Sequence, residues 1–207
     1  MKSRAITAAA MIGAYLATAS VAQDTSQLYT ASFNYNGEQL VISQTPQING
    51  DAVAALYRLP ENCGAICVVP HTAAEGVETV SERDVLAFMT EQVASGDGLL
   101  IDSRLPADRA VAFLPASINV PHSLITPDNP LLNDILVAMG TRSLSGSLNF
   151  TDALPIMVFD DGPTTTDAPA FIAAMLEAGY PAAKIKYYRG GMQVWTAMGL
   201  KTEGTQS

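Results

Sequence analysis

The chain has 207 residues and a formal net charge of −9, from 20 acidic residues against 11 lysines and arginines. An acidic chain without a cluster of basic residues is poorly suited to phosphate backbones, so nucleic acid is excluded as a partner. Hydrophobic residues make up 48% of the chain, which is typical of a packed domain and excludes a disordered one.

The first 22 residues are typical of a secretory signal peptide. Lys2 and Arg4 give a basic start, an Ala-rich apolar stretch runs to Val21, and small residues at Ser20 and Ala22 predict cleavage after residue 22. The apolar stretch is short for a spanning helix, which needs about 20 apolar residues. We therefore expect a mature chain that is periplasmic or secreted, with no membrane association after cleavage. Its formal charge is −11, because cleavage removes two basic residues and no acidic one.

Residues 23–75 are predicted to form a separate N-terminal segment ahead of the main domain at 76–204. Alternating apolar residues over 31–44 flank Asn36-Gly37, a pair that supplies the positive φ angles of a two-residue hairpin turn. A β-hairpin is therefore expected there. A short helix is predicted at 51–58, ended by Pro60.

From Ser81 onward the pattern alternates between helices and strands. Ser81 is a predicted helix cap, and apolar residues follow it at helical spacing. Further helices are predicted at 107–113, 130–139, after the turn at 160–166, and at 190–198. Strands are predicted at 98–102, 117–120, 155–159 and 185–188, with a loop at 142–154. This alternation predicts an α/β fold, a parallel sheet with helices on both faces.

Three motifs within the main domain carry a family resemblance. Leu-Ile-Asp-Ser-Arg at 100–104 precedes Phe-Leu-Pro-Ala-Ser-Ile-Asn-Val-Pro at 113–121. Ile-Met-Val-Phe-Asp-Asp-Gly-Pro-Thr-Thr stands at 156–165, and Tyr-Arg-Gly-Gly-Met-Gln-Val-Trp at 188–195. In order and spacing these motifs resemble the rhodanese-like domain family over about residues 76–204. The chain departs from the family pattern at Ala112 and Phe113, which replace a Gly-His pair, and at Ala116 and Ser117, which replace Gly-Ala.

The resemblance places the family's catalytic loop after the strand at 155–159. Sulfur transfer there needs a thiolate, which the backbone N–H groups of the loop and the following helix N-terminus stabilise. A subset of exported family members carries a Cys-x-Gly-Pro-x-Cys loop, and both of its cysteines are absent here. The loop residues are Asp160, Asp161, Gly162, Pro163, Thr164 and Thr165. A carboxylate forms no persulfide, so we expect a pseudoenzyme with Asp160 in place of the nucleophile.

The sequence allows three interpretations of Asp160. Asp160 is a solvated turn residue, or it accepts the N–H bonds of the loop as a built-in anion, or it joins Asp161 and Asp167 in holding a hard divalent cation. The residues expected to form an anion or ligand pocket are Asp160, Thr165, Thr166 and Arg189. Arg189 is expected to pair with Asp160 or with an anionic ligand.

Cys63 and Cys67 are the two cysteines of the chain. In an exported protein such a pair favours a disulfide, and a spacing of four residues on a helical turn is compatible with one. A redox-active dithiol is the second interpretation. A soft metal site with His71 is the third, against which Pro70 argues because it interrupts a helix.

The remaining polar residues of the motifs are expected to be structural. Asp102 and Arg104 are interpreted as framework residues, His122 as a hydrogen-bonded residue, and Tyr188 and Trp195 as core. The predicted function is a binding or accessory module in periplasmic sulfur or redox metabolism, without cofactor or metal, whose partner is a protein or a small anionic ligand. The alternative is a thiol-dependent sulfurtransferase or redox enzyme that uses Cys63 and Cys67.

Overall fold

The structure is a computed structural model that describes residues 30–45, 68–144 and 147–205. The predicted signal peptide, the predicted helix at 51–58 and both cysteines lie outside the described residues. The strands are β1 (Thr30–Tyr35), β2 (Glu38–Ser43), β3 (Glu78–Val80), β4 (Leu99–Asp102), β5 (Ile118–Asn119), β6 (Arg142–Leu144), β7 (Ser147–Asn149), β8 (Ile156–Phe159) and β9 (Ile185–Tyr188). The α-helices are α1 (Glu82–Phe88), α2 (Pro106–Val111), α3 (Leu132–Ala138), α4 (Asp167–Glu177) and α5 (Gly191–Ala197).

Five strands form one central sheet in the order β3-β9-β8-β4-β5. Every neighbouring pair in this sheet is parallel. The carboxyl ends of all five strands therefore lie along the same edge, which is where open α/β sheets place their ligands. The predicted α/β fold with a central parallel sheet is confirmed.

The sheet separates two hydrophobic cores. Side chains of a strand alternate between the faces, so Met157 and Phe159 of β8 lie in one core while Ile156 and Val158 lie in the other. Trp195 of α5 packs in the first core. The second core is formed with α3 and α4, whose buried residues include Leu136, Phe171 and Ile172. Helices thus cover both faces, as predicted.

The N-terminal hairpin packs against the first of these cores. Asn36 and Gly37 form its turn with φ angles of 51° and 85°, which is the left-handed backbone that the Asn-Gly pair predicts. Phe33 and Ile42 are buried in the same cluster as Trp195. The predicted hairpin is therefore confirmed, and it shares a core with the central sheet.

Helix α1 begins at the predicted cap and ends in a wider turn. The Asp84 carboxylate accepts hydrogen bonds from the backbone N–H and the hydroxyl of Ser81, at 2.9 and 2.7 Å. Residues Met89–Val93 then continue as a π-helical turn. Within the described ranges no helix is long and apolar enough to cross a membrane.

Two short strand regions were not predicted. The segment 142–154, expected to be a loop, contains the antiparallel hairpin of β6 and β7. Strand β3 pairs with β9 at the edge of the central sheet, with Val80 opposite Tyr188. Both regions are three-residue strands with little apolar alternation, so their pairing depends on tertiary contacts.

Candidate functional site

The loop that follows β8 lies at the carboxyl edge of the central sheet. Its neighbours are the loops that follow β4, β5 and β9, because those strands end at the same edge. Asp102 of β4 is in register with Phe159 of β8. Arg104 follows the end of β4 and Asp160 follows the end of β8, so the two residues lie close together although they are far apart in the sequence.

Asp160 is fully buried, and both of its carboxylate oxygens accept backbone hydrogen bonds. Oδ1 accepts the Gly162 N–H at 2.9 Å, and Oδ2 accepts the Ala168 N–H at 2.9 Å. Ala168 lies in the first turn of α4, whose cap residue Thr166 makes no side-chain capping bond. Asp160, which directly follows β8, therefore caps α4, and its carboxylate closes the loop onto the helix.

The surroundings of Asp160 weaken its acidity. Burial raises its pKa from an ordinary value of 3.8 to about 7, even though the two backbone N–H groups and the Thr165 side chain favour the carboxylate form. No guanidinium contacts Asp160 among the described residues. Its carboxyl group therefore changes protonation state near neutral pH.

Two glycines allow the loop to pack directly on the start of α5. A Cβ atom on Gly191 would lie 2.4 Å from the Asp160 carbonyl oxygen, and one on Gly162 would lie 2.8 Å from the Gly190 carbonyl oxygen. Both glycines also have positive φ angles, 55° and 138°. These positions need glycine because a side chain would collide with backbone.

The first turn of α5 binds the loop from its other side. The N–H groups of Met192 and Gln193 donate to the carbonyl oxygens of Asp160 and Asp161 at 3.0 and 2.8 Å. The Gln193 side chain donates to the Thr164 hydroxyl at 2.9 Å. Residues of both α4 and α5 therefore hydrogen-bond to the loop and hold it from two sides.

The remaining loop residues bond within the loop or to a neighbouring segment. The Thr165 hydroxyl donates to the Gly162 carbonyl at 3.0 Å. The Pro163 carbonyl accepts the Val69 N–H at 2.8 Å. The segment at 68–70 is therefore attached to the loop.

Asp161 belongs to a buried ion-pair network. Arg104 is 1% exposed and donates to Asp161 at 2.8 Å. It also makes two bonds to Asp102, from Nε at 2.9 Å and from Nη2 at 2.8 Å, and one to the Ala112 carbonyl at 2.7 Å. Arg109 reaches the same Asp102 carboxylate at 3.2 Å. The framework role predicted for Asp102 and Arg104 agrees with these contacts, whereas sequence reasoning did not include Arg109.

Charges in this network hold Arg104 in its cationic form. Burial alone would lower the pKa of Arg104, but the hydrogen bonds and the charge of Asp102, together with Asp161, raise it above its usual value. Burial raises the pKa of Asp161, and Arg104 opposes that effect. The guanidinium therefore keeps two carboxylates in place beside the loop.

His122 lies beside Asp167, the first residue of α4. Its Nδ1 is 3.6 Å from the Asp167 carboxylate and 3.4 Å from the Ser103 carbonyl oxygen. Burial raises the pKa of Asp167, while the neighbouring His122 lowers it. The contacts of His122 are those of a hydrogen-bonded structural residue.

Arg189 has other partners than the expected ones. Its guanidinium donates to the carbonyl oxygens of Val69 at 2.9 Å and Pro70 at 3.2 Å. Asp160 accepts from Gly162 and Ala168 instead. The expected pairing of Arg189 with Asp160 is thus replaced by a contact that fixes the segment at 68–70.

The cation interpretation finds no support in these contacts. Asp160 binds backbone N–H groups, Asp161 binds Arg104, and Asp167 faces His122. Among the described residues no three His, Cys, Asp or Glu side chains are grouped as metal ligands. Each of the three carboxylates therefore already faces another group of the chain.

Several contacts of the site carry no local sequence signal. Ala168 contributes only a backbone N–H, and Gln193 only becomes a neighbour of Thr164 through the packing of α5 on the loop. The Tyr-Arg-Gly-Gly-Met-Gln-Val-Trp motif includes Gln193, but it does not indicate which loop atom this side chain binds.

Comparison with known proteins finds solved structures that are similar to this chain. No protein-family model matches the chain, and no curated protein does. A Bacillus halodurans protein, BH2092, is 17% identical, with a TM-score of 0.45 over 62% of this chain and 78% of its own. The rhodanese-like domain of an Anabaena protein is 17% identical, with a TM-score of 0.41 over 64% and 82%. Thiosulfate sulfurtransferase from Pseudomonas aeruginosa is 20% identical, with a TM-score of 0.40 over 63% and 21%.

These similarities concern the fold. The class of protein is an α/β domain with a central parallel sheet and an N-terminal antiparallel hairpin. A rhodanese-like domain and a thiosulfate sulfurtransferase are among the solved structures similar to this chain.

Proposed function

We propose that this chain is an exported rhodanese-like protein that does not transfer sulfur and acts as a binding or accessory module in periplasmic sulfur or redox metabolism. One observation carries the proposal. The buried Asp160 carboxylate accepts the N–H groups of Gly162 and Ala168, each at 2.9 Å. By the resemblance, Asp160 stands where the family has its nucleophilic cysteine. Export is inferred from the N-terminal sequence pattern.

The chemistry of sulfur transfer supports an inactive loop. The nucleophile must accept a sulfur atom as a persulfide and pass it on, and a carboxylate cannot do this. Two N–H groups that would stabilise an anionic sulfur are already bonded to the chain's own carboxylate. These two N–H groups are therefore not free to bind an anion that enters the loop.

The charges at the loop mouth favour a protein partner over a small anion. Asp161 and Asp167 keep 25% and 30% of their side chains exposed. Their carboxylates repel an anion that approaches the loop. Of the two partner classes expected from the sequence, we therefore propose a protein that contacts the carboxyl edge of the sheet.

The proposal is tested by assaying sulfur transfer from thiosulfate to cyanide. We expect no turnover from the mature chain or from Asp160→Asn, the matched control that keeps the size of the side chain. Asp160→Cys restores the missing nucleophile beneath the same N–H groups, so turnover should appear. Turnover by the native chain would contradict the proposal. An inactive but folded Asp160→Cys variant would show that the loop lacks more than its nucleophile.

A thiol-dependent enzyme is the second candidate, and one contact favours it. The Val69 N–H donates to the Pro163 carbonyl at 2.8 Å. Cys67 precedes Val69 by two residues in the sequence, so a cysteine is close in the chain to a residue bound to the loop. If the native chain is active and Cys63→Ser or Cys67→Ser abolishes the activity, this candidate replaces the first.

A further inference from the structure

A concave region lies at the opposite edge of the sheet from the Asp160 loop. It is a cavity of about 370 Å³ where β4 and β5 begin, bounded by the tip of the N-terminal hairpin. Leu99 and Ile118 are the first residues of these strands, and Tyr35 and Asn36 come from the hairpin. The volume falls within the usual range of small-molecule sites, roughly 300–1,000 Å³.

The wall of this cavity is uncharged. Among the described residues, those that line it are aliphatic or neutral polar, with one aromatic ring from Tyr35 and no acidic or basic side chain. Val93 and Leu100 are buried in its wall, whereas Asn36 is exposed at the turn. The chain as a whole has a net charge of −9. Because the side chains that line this cavity are neutral, it suits an uncharged ligand.

Unusual backbone conformations are concentrated around the same cavity. Asn36 and Ala116 have φ angles of 51° and 60°, and within the described ranges they are the non-glycine residues with positive φ. Both line the cavity, as does Val93 at the end of the π-helical turn. Asn36 adopts this conformation as part of its hairpin turn, whereas at Ala116 the positive φ costs free energy, and such residues cluster at functional sites.

We propose that this cavity binds a small uncharged molecule with an apolar ring system and one hydroxyl or carbonyl group. The ring packs against Tyr35, Leu99 and Ile118, and the polar group faces the Asn36 side chain at the mouth. Aromatic and aliphatic walls with a single polar contact are typical of such sites. A carboxylate or an ammonium group is rejected because the wall offers no opposite charge for a desolvated ion.

This site is independent of the proposed function of the loop. The cavity lies where β4 and β5 begin, and the Asp160 loop follows the carboxyl end of β8. None of the residues that line the cavity takes part in the described contacts of the loop. Loss of one role therefore leaves the other unchanged.

The test uses 1-naphthol as the uncharged probe and 1-naphthoate as its charged counterpart. Calorimetric titration of the mature chain should give saturable binding of 1-naphthol, with binding of 1-naphthoate at least about tenfold weaker. Methyl-group NMR should show ring-current shifts at Val93, Leu99, Leu100 and Ile118. Equal binding of the two probes, or shifts at methyl groups elsewhere, would overturn the proposal.

Two variants that fill the cavity complete the test. Ala94→Phe places a ring in the wall, and we expect at least a tenfold loss of 1-naphthol binding. Ala173→Phe is the matched control, because Ala173 is exposed on α4 and does not line the cavity. Should Ala94→Phe not fold, Ile118→Phe decides in its place. Undiminished binding by a folded cavity variant would contradict the proposed site.

Discussion

Asp102 and Asp160 are two fully buried aspartates at the ends of adjacent strands, and they are stabilised in different ways. Asp102 at the end of β4 accepts hydrogen bonds from the guanidinium groups of Arg104 and Arg109. Asp160, directly after β8, accepts two backbone N–H groups. Both side chains are excluded from solvent, and among the described residues only Asp102 has opposite charges in contact.

The difference shows what a buried carboxylate requires. Fixed dipoles orient Asp160, but they do not replace the lost hydration, so its pKa rises to about 7. The two guanidinium groups instead bind Asp102 within an ion-pair network that extends to Asp161. The first arrangement gives a group that titrates near neutrality, and the second gives a structural link between β4 and the loop.

The largest effect is expected when the ion-pair network is broken. Arg104→Met removes the guanidinium that Asp102 and Asp161 share, and it leaves a buried carboxylate without its main partner. We expect the free energy of unfolding to fall by about 3–5 kcal/mol, measured by urea denaturation.

Arg142→Met is the matched control for this variant. Arg142 pairs with Asp152 at 2.7 Å, but both side chains are largely exposed, at 69% and 52%. Its loss should change the stability by no more than about 1 kcal/mol. Similar losses in the two variants would mean that the buried network does not stabilise the fold.

A smaller effect is expected from the titration of Asp160. Its folded-state pKa of about 7 lies above its ordinary value of 3.8, so between these values the folded protein holds a proton that the unfolded chain has released. Stability from this group is therefore fully present at low pH and is lost as the pH rises towards 7. Relative to Asp160→Asn, the native chain should lose on the order of 2–4 kcal/mol across this range.

Denaturation at a series of pH values measures this difference. Asp161 and Asp167 also have raised pKa values, but they are present in both chains, so the comparison isolates Asp160. Parallel stability curves for the native chain and Asp160→Asn would contradict a raised pKa at this position.

The smallest effect is expected from Thr165→Val. The Thr165 side chain favours the carboxylate form of Asp160, so its removal should raise the pKa of Asp160 further. Loss of its hydrogen bonds with Gly162 should cost about 1 kcal/mol of stability. Thr164→Val is the control, because Thr164 bonds to Gln193. An NMR titration of the Asp160 carboxyl carbon that gives the same pKa in both variants would contradict this account.

Local sequence signals predicted most of the fold. The Asn36-Gly37 pair carries the left-handed backbone of its turn, and the apolar run at 155–159 corresponds to the fully buried strand β8. Ser81 was correctly predicted as a helix cap. These features depend on the conformational preferences and burial of consecutive residues, which a sequence displays directly.

The contacts within the site were harder to predict from the sequence, because they join residues that are far apart in the chain. Arg104 and Asp161 are 57 positions apart, and no local pattern relates them. Arg189 was expected to pair with Asp160 or with an anionic ligand, but backbone carbonyls of a segment 119–120 residues earlier accept its hydrogen bonds. Backbone acceptors and donors are present at every residue, so side-chain type alone does not predict which of them is used.

The Asp160 loop cannot complete its hydrogen bonds until α5 has been synthesised. The N–H groups that bind the loop carbonyls belong to Met192 and Gln193 of α5, which follows the loop, α4 and β9 in the sequence. During synthesis the loop emerges well before these donors exist. The loop therefore reaches its final shape only when α5 has been added, and a chain truncated before Gly191 would lack these donors.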